Sequence, residues 1–262
     1  MRSETKNVKA KFAGALLAGS IVLLGWSSVA EGQSSRFMAR SKPDAKVSIR
    51  DMRIPPKARD EFNKGLRQLE KRNSTKSLRH FEEAVRNFPN YYEAYYNEGV
   101  ADMQLQHNEE AMQKFQKAIE LSDGKYARAE FGYGLALMRE GKIPEAEQVL
   151  RHGLQTEPDN VDGHVVLGFV LLKQNRLDEA ERHGQEALEE NDRNAAKGYL
   201  VLADAAGARA DYQEQARNLD AYLNAVPKDP NKKTLQAARD VAQRLASRKN
   251  ARASKTNMSA SN

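Results

Sequence analysis

Residues 161–192 read VDGHVVLGFVLLKQNRLDEAERHGQEALEEND, and their pattern decides the fold. Leu167, Gly168 and Leu171 fall on one face of a first helix; Ala180, Gly184 and Ala187 fall on one face of a second. Glycine inside a helix costs about 1 kcal/mol relative to alanine. Gly168 therefore implies a helix–helix approach too close for a side chain. Neither helix can bury its apolar face alone, so further helices must stack on each side.

The pattern recurs. Gly65, Gly99, Gly134, Gly168 and Ala203 follow one another at steps of 34, 35, 34 and 35 residues. A small residue opens each second helix at Ser77, Ala111, Ala146 and Ala180, with Gln215 and Ala216 in the last copy. Larger residues follow at Phe81, Phe115, Leu150 and Leu219, with Gly184 as a departure. Next come Ala84, Ala118, Gly153, Ala187 and Tyr222, and the copies end at Pro89, Asp123, Pro158, Asp192 and Pro227. A fixed period of this length signals an all-α solenoid of helix pairs.

On these residues the stretch from about 58 to 227 resembles the tetratricopeptide repeat (TPR) family. The resemblance implies a right-handed superhelical solenoid of about five helix pairs. The repeats are expected near 58–91, 92–126, 127–160, 161–195 and 196–229, within an array over 55–227. Copy one departs at Glu61 and Arg72, copy five at Gln215 and Tyr222. Terminal repeats lack one neighbour and are often atypical. Pro55-Pro56 suits the start of the first helix, since proline there loses no hydrogen bond. Its apolar face uses Phe62, Leu66 and Leu69. Among Tyr91, Tyr92, Tyr95 and Tyr96, core packing accounts for Tyr95, while Tyr96 is the better candidate for ligand contact. Gly141 and Asn175 sit in turns and tolerate positive φ.

A capping helix is expected over 230–248, with Leu235, Ala238, Ala242 and Leu245 as its stripe, followed by a disordered basic tail over 249–262. The overall formal charge of +6 is unevenly placed. Residues 1–54 carry ten Lys/Arg against four Asp/Glu, residues 228–262 nine against two, and residues 55–227 have a net charge of −7. The basic pI therefore does not indicate nucleic-acid binding, and no nucleic-acid partner is expected.

Residues 1–30 read as an export signal. Arg2, Lys6, Lys9 and Lys11 precede the apolar run Phe12 to Trp26, and Ser28-Val29-Ala30 supplies a cleavage site after Ala30. A periplasmic or secreted protein follows. The alternative is an uncleaved N-terminal anchor, with membrane contact through residues 1–30. There is no cysteine, hence neither a disulfide nor a lipidated cysteine. Residues 31–54 read as a flexible linker. Val47, Ile49, Met52 and Ile54 make either an irregular lead-in, the preferred reading, or an apolar strip packed on the first repeat.

No phosphate-binding loop, GxSxG or HExxH is present. His80, His107, His152, His164 and His183 occupy scattered repeat positions. No catalytic, cofactor-binding or metal residue is expected, and the chain reads as a non-enzymatic scaffold for a protein or peptide partner; the alternatives are a membrane-tethered cell-envelope assembly factor and the regulatory subunit of an enzyme complex.

The resemblance implies that the first helix of each repeat lines a concave ligand groove. Carried over by register, the groove residues are Phe62, Asn63, Tyr96, Asn97, Val100, Met103, Arg128, Phe131, Leu135, Met138, Val165, Phe169 and Leu172. Met adapts to varied apolar partners. Some relatives hold an acidic C-terminus in a carboxylate clamp. Asn97 matches one clamp position and Arg128 offers a cation, but Phe62, Leu66 and Gly132 depart from the clamp pattern.

Overall fold

The computed structural model describes residues 54–190, 192 and 194–260; for 252, 253 and 255–260 it describes the helix alone. The export signal and the linker up to residue 53 lie outside the described residues. Eleven α-helices follow in chain order among the described residues: α1 Pro56–Glu70, α2 Ser74–Asn87, α3 Tyr92–Gln104, α4 Asn108–Leu121, α5 Ala127–Arg139, α6 Ile143–Thr156, α7 Val161–Lys173, α8 Leu177–Glu189, α9 Gly198–Ala208, α10 Tyr212–Ala225 and α11 Lys232–Ala260. They alternate as first and second helices of five pairs, the arrangement of a TPR solenoid, with α11 beyond them. The chain divides into two compact units within α7, one ending at Val170 and one beginning at Leu171.

The turn inside each pair repeats in atomic detail. Arg72, Gln106, Gly141, Asn175 and Ala210 all have positive φ, between 56° and 75°. The next residue donates its N–H back into the first helix each time: Asn73 to Gln68, His107 to Asp102, Lys142 to Leu137, Arg176 to Leu171 and Asp211 to Ala206, at 2.9–3.0 Å. This is the Schellman closure, which satisfies a carbonyl at the helix end and reverses the chain.

In the first unit, α1 packs on α2, α3 on α4 and α5 on α6, and α3 also touches α1 and α5. The repeating glycines explain how closely the pairs approach. A Cβ at Gly65 would lie 2.5 Å from the Phe81 ring, one at Gly99 2.8 Å from Phe115, and one at Gly134 2.5 Å from Leu150. Phe115 also fills the space at Gly132, where a Cβ would lie 2.7 Å away. One ring on α4 is thus received by glycines on both flanking first helices. Ile54 is buried with Ala58, Ala84, Tyr91 and Ala94, so the end of the expected linker belongs to the core.

In the second unit the departures from the repeat have structural reasons. Gly184 stands where other copies carry a large residue, and a Cβ on the facing Gly198 would lie 2.3 Å from its carbonyl oxygen. Backbone meets backbone between α8 and α9. Gln215 is buried because its amide occupies the space left by Gly207. The Tyr222 hydroxyl donates to Asp229 Oδ2 at 2.6 Å, while Asp229 Oδ1 accepts from Asn231 N–H, which fixes the approach to α11. Leu235, Ala238 and Ala242 are buried, and α11 packs on α10. The cap expected over 230–248 does not stop there. The helix continues to Ala260, through residues read as a disordered tail, because no glycine or proline follows Pro230 and Ala, Arg and Lys are good helix formers. Among the described residues, no helix is long and apolar enough to cross a membrane.

Candidate functional site

The first helices carry the candidate residues, and burial sorts them sharply. Tyr96, Val100, Met103, Phe131, Leu135, Met138, Val165 and Phe169 are between 0 and 5 % exposed. The expectation of an open apolar floor is corrected: these side chains are interior. The reason is clearest at Phe131. A Cβ at Gly153 or Gly163 would lie 2.6 Å from its Cε1 atom. The ring therefore joins α5, α6 and α7, much as Phe115 joins α3, α4 and α5.

The burial of the two tyrosines is the reverse of that expected. Tyr96 is buried, with its ring 5.8 Å from Phe115 and edge-on to Tyr126 at 5.3 Å. Tyr95 is partly exposed, and Lys114 Nζ sits 5.9 Å from its ring centroid. Asn97 is buried and donates from Nδ2 to the Glu93 carbonyl at 2.7 Å. That bond closes one turn of its own helix, so Asn97 does not stand open as a clamp residue. Leu172 is partly buried.

Three candidates in the first unit keep access to solvent. Asn63 is exposed. Phe62 is partly buried against Tyr91 and Phe81, at ring distances of 4.9 and 5.6 Å. Arg128 is partly exposed at the start of α5. Burial opposes the charge on Arg128, but Tyr126, Tyr96, Glu157 and Asp162 around it raise its pKa overall. Beside it, the rings of Tyr92 and Tyr126 lie 5.0 Å apart and both are partly exposed. Burial pushes the hydroxyls of Tyr96 and Tyr126 well up, so both stay neutral hydrogen-bonding groups. A cation beside exposed aromatic edges can take an anionic or polar group and an apolar side chain together. Tyr126 escapes a reading based on periodicity because it precedes α5 and so stands outside the helical register.

The histidines and buried acids form local pairs. Glu61 pairs with His80 at 2.8 Å, Glu130 with His152 at 2.6 Å and His183 with Glu186 at 2.7 Å. His164 Nε2 lies 2.6 Å from the Pro158 carbonyl. Buried Glu98 meets Lys114 at 2.8 Å, and burial drives the Asp102 carboxyl up to about 6 despite Lys114 and His107 nearby. Asp204 is buried and neither of its oxygens has a hydrogen-bond partner; burial raises its pKa well above the ordinary value.

Two tetratricopeptide repeat family models match, over residues 62–126 and 137–205. No curated protein matches the sequence. Among solved structures, the chain is similar to TTC0263, a thermophilic TPR protein of Thermus thermophilus, at 19% identity and a TM-score of 0.61, covering 71% of this chain and 98% of that one. It is also similar to MamA 41-end of Desulfovibrio magneticus RS-1, at 20% identity and a TM-score of 0.54, covering 68% and 99%. A third, YrrB, described as a TPR protein with an unusual peptide-binding site, shows 16% identity and a TM-score of 0.50, covering 70% and 92%. At these identities the likeness is one of fold. Proteins built from such repeats are generally non-catalytic scaffolds and commonly bind peptide or protein partners.

Proposed function

Since the chain belongs to the tetratricopeptide repeat family, we propose that it is a non-enzymatic scaffold holding a peptide or helix of a partner protein against its first helices. The observation that carries this reading is Arg128 with the Tyr92–Tyr126 pair. These groups are partly exposed on or beside α3 and α5, which touch one another, while Tyr96, Met103, Phe131 and Met138 of the same helices are interior. The partner segment meets Arg128 with a carboxylate or carbonyl, and Tyr92, Tyr126 and Phe62 with apolar side chains. The peptide-binding site named for YrrB supports the mode of use, not the ligand.

The scaffold acts outside the cytoplasm, by the basic start, apolar run and Ser28-Val29-Ala30 of residues 1–30. The mature chain then begins at Glu31. N-terminal sequencing of native material would find Glu31, whereas Met1 in the membrane fraction would mean that the segment is kept as an anchor.

Binding is tested by capture from envelope extract with the wild-type chain, Arg128→Ala and Gln148→Ala. Gln148 is exposed on the second helix α6. A central anchor costs about 2 kcal/mol or more when truncated, so Arg128→Ala should weaken capture of the partner at least tenfold. Gln148→Ala should leave it unchanged, and circular dichroism should show all three equally helical. Undiminished capture by Arg128→Ala would remove this site from the proposal.

A further inference from the structure

The extension of α11 to Ala260 sets the basic residues of the tail at helical positions. At 100° per residue, Arg244, Arg248, Arg252 and Lys255 fall within about 80° of arc and span about 16 Å of helix. The buried stripe Leu235, Ala238 and Ala242 occupies a different face. Arg244 and Arg248 are exposed. No Asp or Glu follows Asp240, so nothing in the remaining sequence neutralises the row. The helix is also held beyond its apolar stripe. Lys249, on the side of the apolar stripe, donates from Nζ to the Ala210 carbonyl at 3.1 Å.

We propose that this face of α11 is a docking surface for an anionic lipid bilayer. Charge complementarity selects an anionic partner, and the character of the face selects which one. A planar surface meets one side of a straight helix along its length, as this row requires. Residues 232–260 contain no aromatic residue on which bases could stack. A long flexible polyanion would also meet residues 55–227, with their net charge of −7. From Arg244 to Lys255 the arc of the row itself carries no bulky apolar residue to insert, so the attachment is electrostatic, reversible and steeply dependent on salt. It is separate from the first-helix site, and it does not depend on the reading of that site.

The test uses the full chain and sedimentation with vesicles of phosphatidylcholine alone or with 30% phosphatidylglycerol. Binding to neutral vesicles measures what residues 1–30 contribute, and the excess on anionic vesicles measures charge. The stripe variant is Arg244→Gln, Arg248→Gln, Arg252→Gln and Lys255→Gln together. The control has the same loss of charge elsewhere, at exposed Arg67, Lys76, Arg79 and Lys125, each changed to Gln. Glutamine is a good helix former, so α11 should persist, and circular dichroism checks that it does. With each cation contributing about 1 kcal/mol at an anionic surface, the stripe variant should lose the excess binding by about two to three orders of magnitude at low salt. The control should stay within about threefold of wild type. Equal losses in both variants would reduce the effect to net charge and overturn the proposal. So would stripe-dependent capture of duplex DNA or of a poly-glutamate peptide at 150 mM salt more tightly than anionic vesicles.

Discussion

Phe131→Ala separates a groove anchor from an interior wedge. The ring is 2 % exposed and lies where Gly153 on α6 and Gly163 on α7 leave room for it. Truncation should leave a cavity shared by three helices and cost about 3–5 kcal/mol of stability. Repeat arrays lose stability locally, so urea unfolding by circular dichroism should be paired with amide exchange across α5, α6 and α7. The reciprocal substitution is Gly163→Ala. In the wild-type chain its Cβ would collide with the ring, and overpacking of about 1–3 kcal/mol should exceed the gain of about 1 kcal/mol in helix propensity. In the Phe131→Ala background the ring is gone and only Leu154 Cδ2, at 2.8 Å, stays close, so the same change should cost less than in the wild type. That difference in the cycle is the signature of contact. If Phe131→Ala costs under about 1 kcal/mol and Gly163→Ala behaves alike in both backgrounds, the wedge assignment is wrong.

Other outcomes follow from single features. Gln106→Gly should stabilise by about 1 kcal/mol, since φ of 64° suits glycine, and Gly141→Ala should cost about as much; thermal melts decide both. The Asp102 carboxyl is raised from 3.8 to about 6, so the folded state binds its proton more tightly than the unfolded state does. Its contribution is complete below the unfolded value and is lost as pH rises through about 6. The urea midpoint of wild type should therefore fall relative to Asp102→Asn between pH 4 and 7, and parallel profiles would contradict this. Tyr222→Phe removes a buried hydrogen bond to Asp229, so it should cost about 1.5–3 kcal/mol and speed amide exchange in α11.

The fold was legible because its determinants are periodic. Gly65, Gly99 and Gly134 keep register with Phe81, Phe115 and Leu150, and the structure joins each glycine to its ring or leucine. The turns were half legible. Gly141 and Asn175 announce positive φ, whereas Arg72, Gln106 and Ala210 adopt it because the Schellman closure imposes it. The site was less legible, because register names the face of a helix but not how far neighbours cover it. Tyr95 and Tyr96 are adjacent, yet Phe115 and Tyr126 enclose only the second. Gly153 and Gly163 gave no sign in the periodic pattern that they receive Phe131. The tail looked disordered by composition, but it continues a helix already anchored by Leu235, Ala238 and Ala242.

The central claim is that a partner segment lies on the first helices beside Arg128, and site-specific photo-crosslinking in the native envelope tests it most directly. A photoreactive residue would replace Asn63, Glu93 or Lys125, which border the site without carrying it, and in parallel Gln116 or Gln148, which are exposed on second helices. The account predicts one adduct of the same mass from the first three positions and none from the other two. Adducts confined to Gln116 and Gln148 would contradict it.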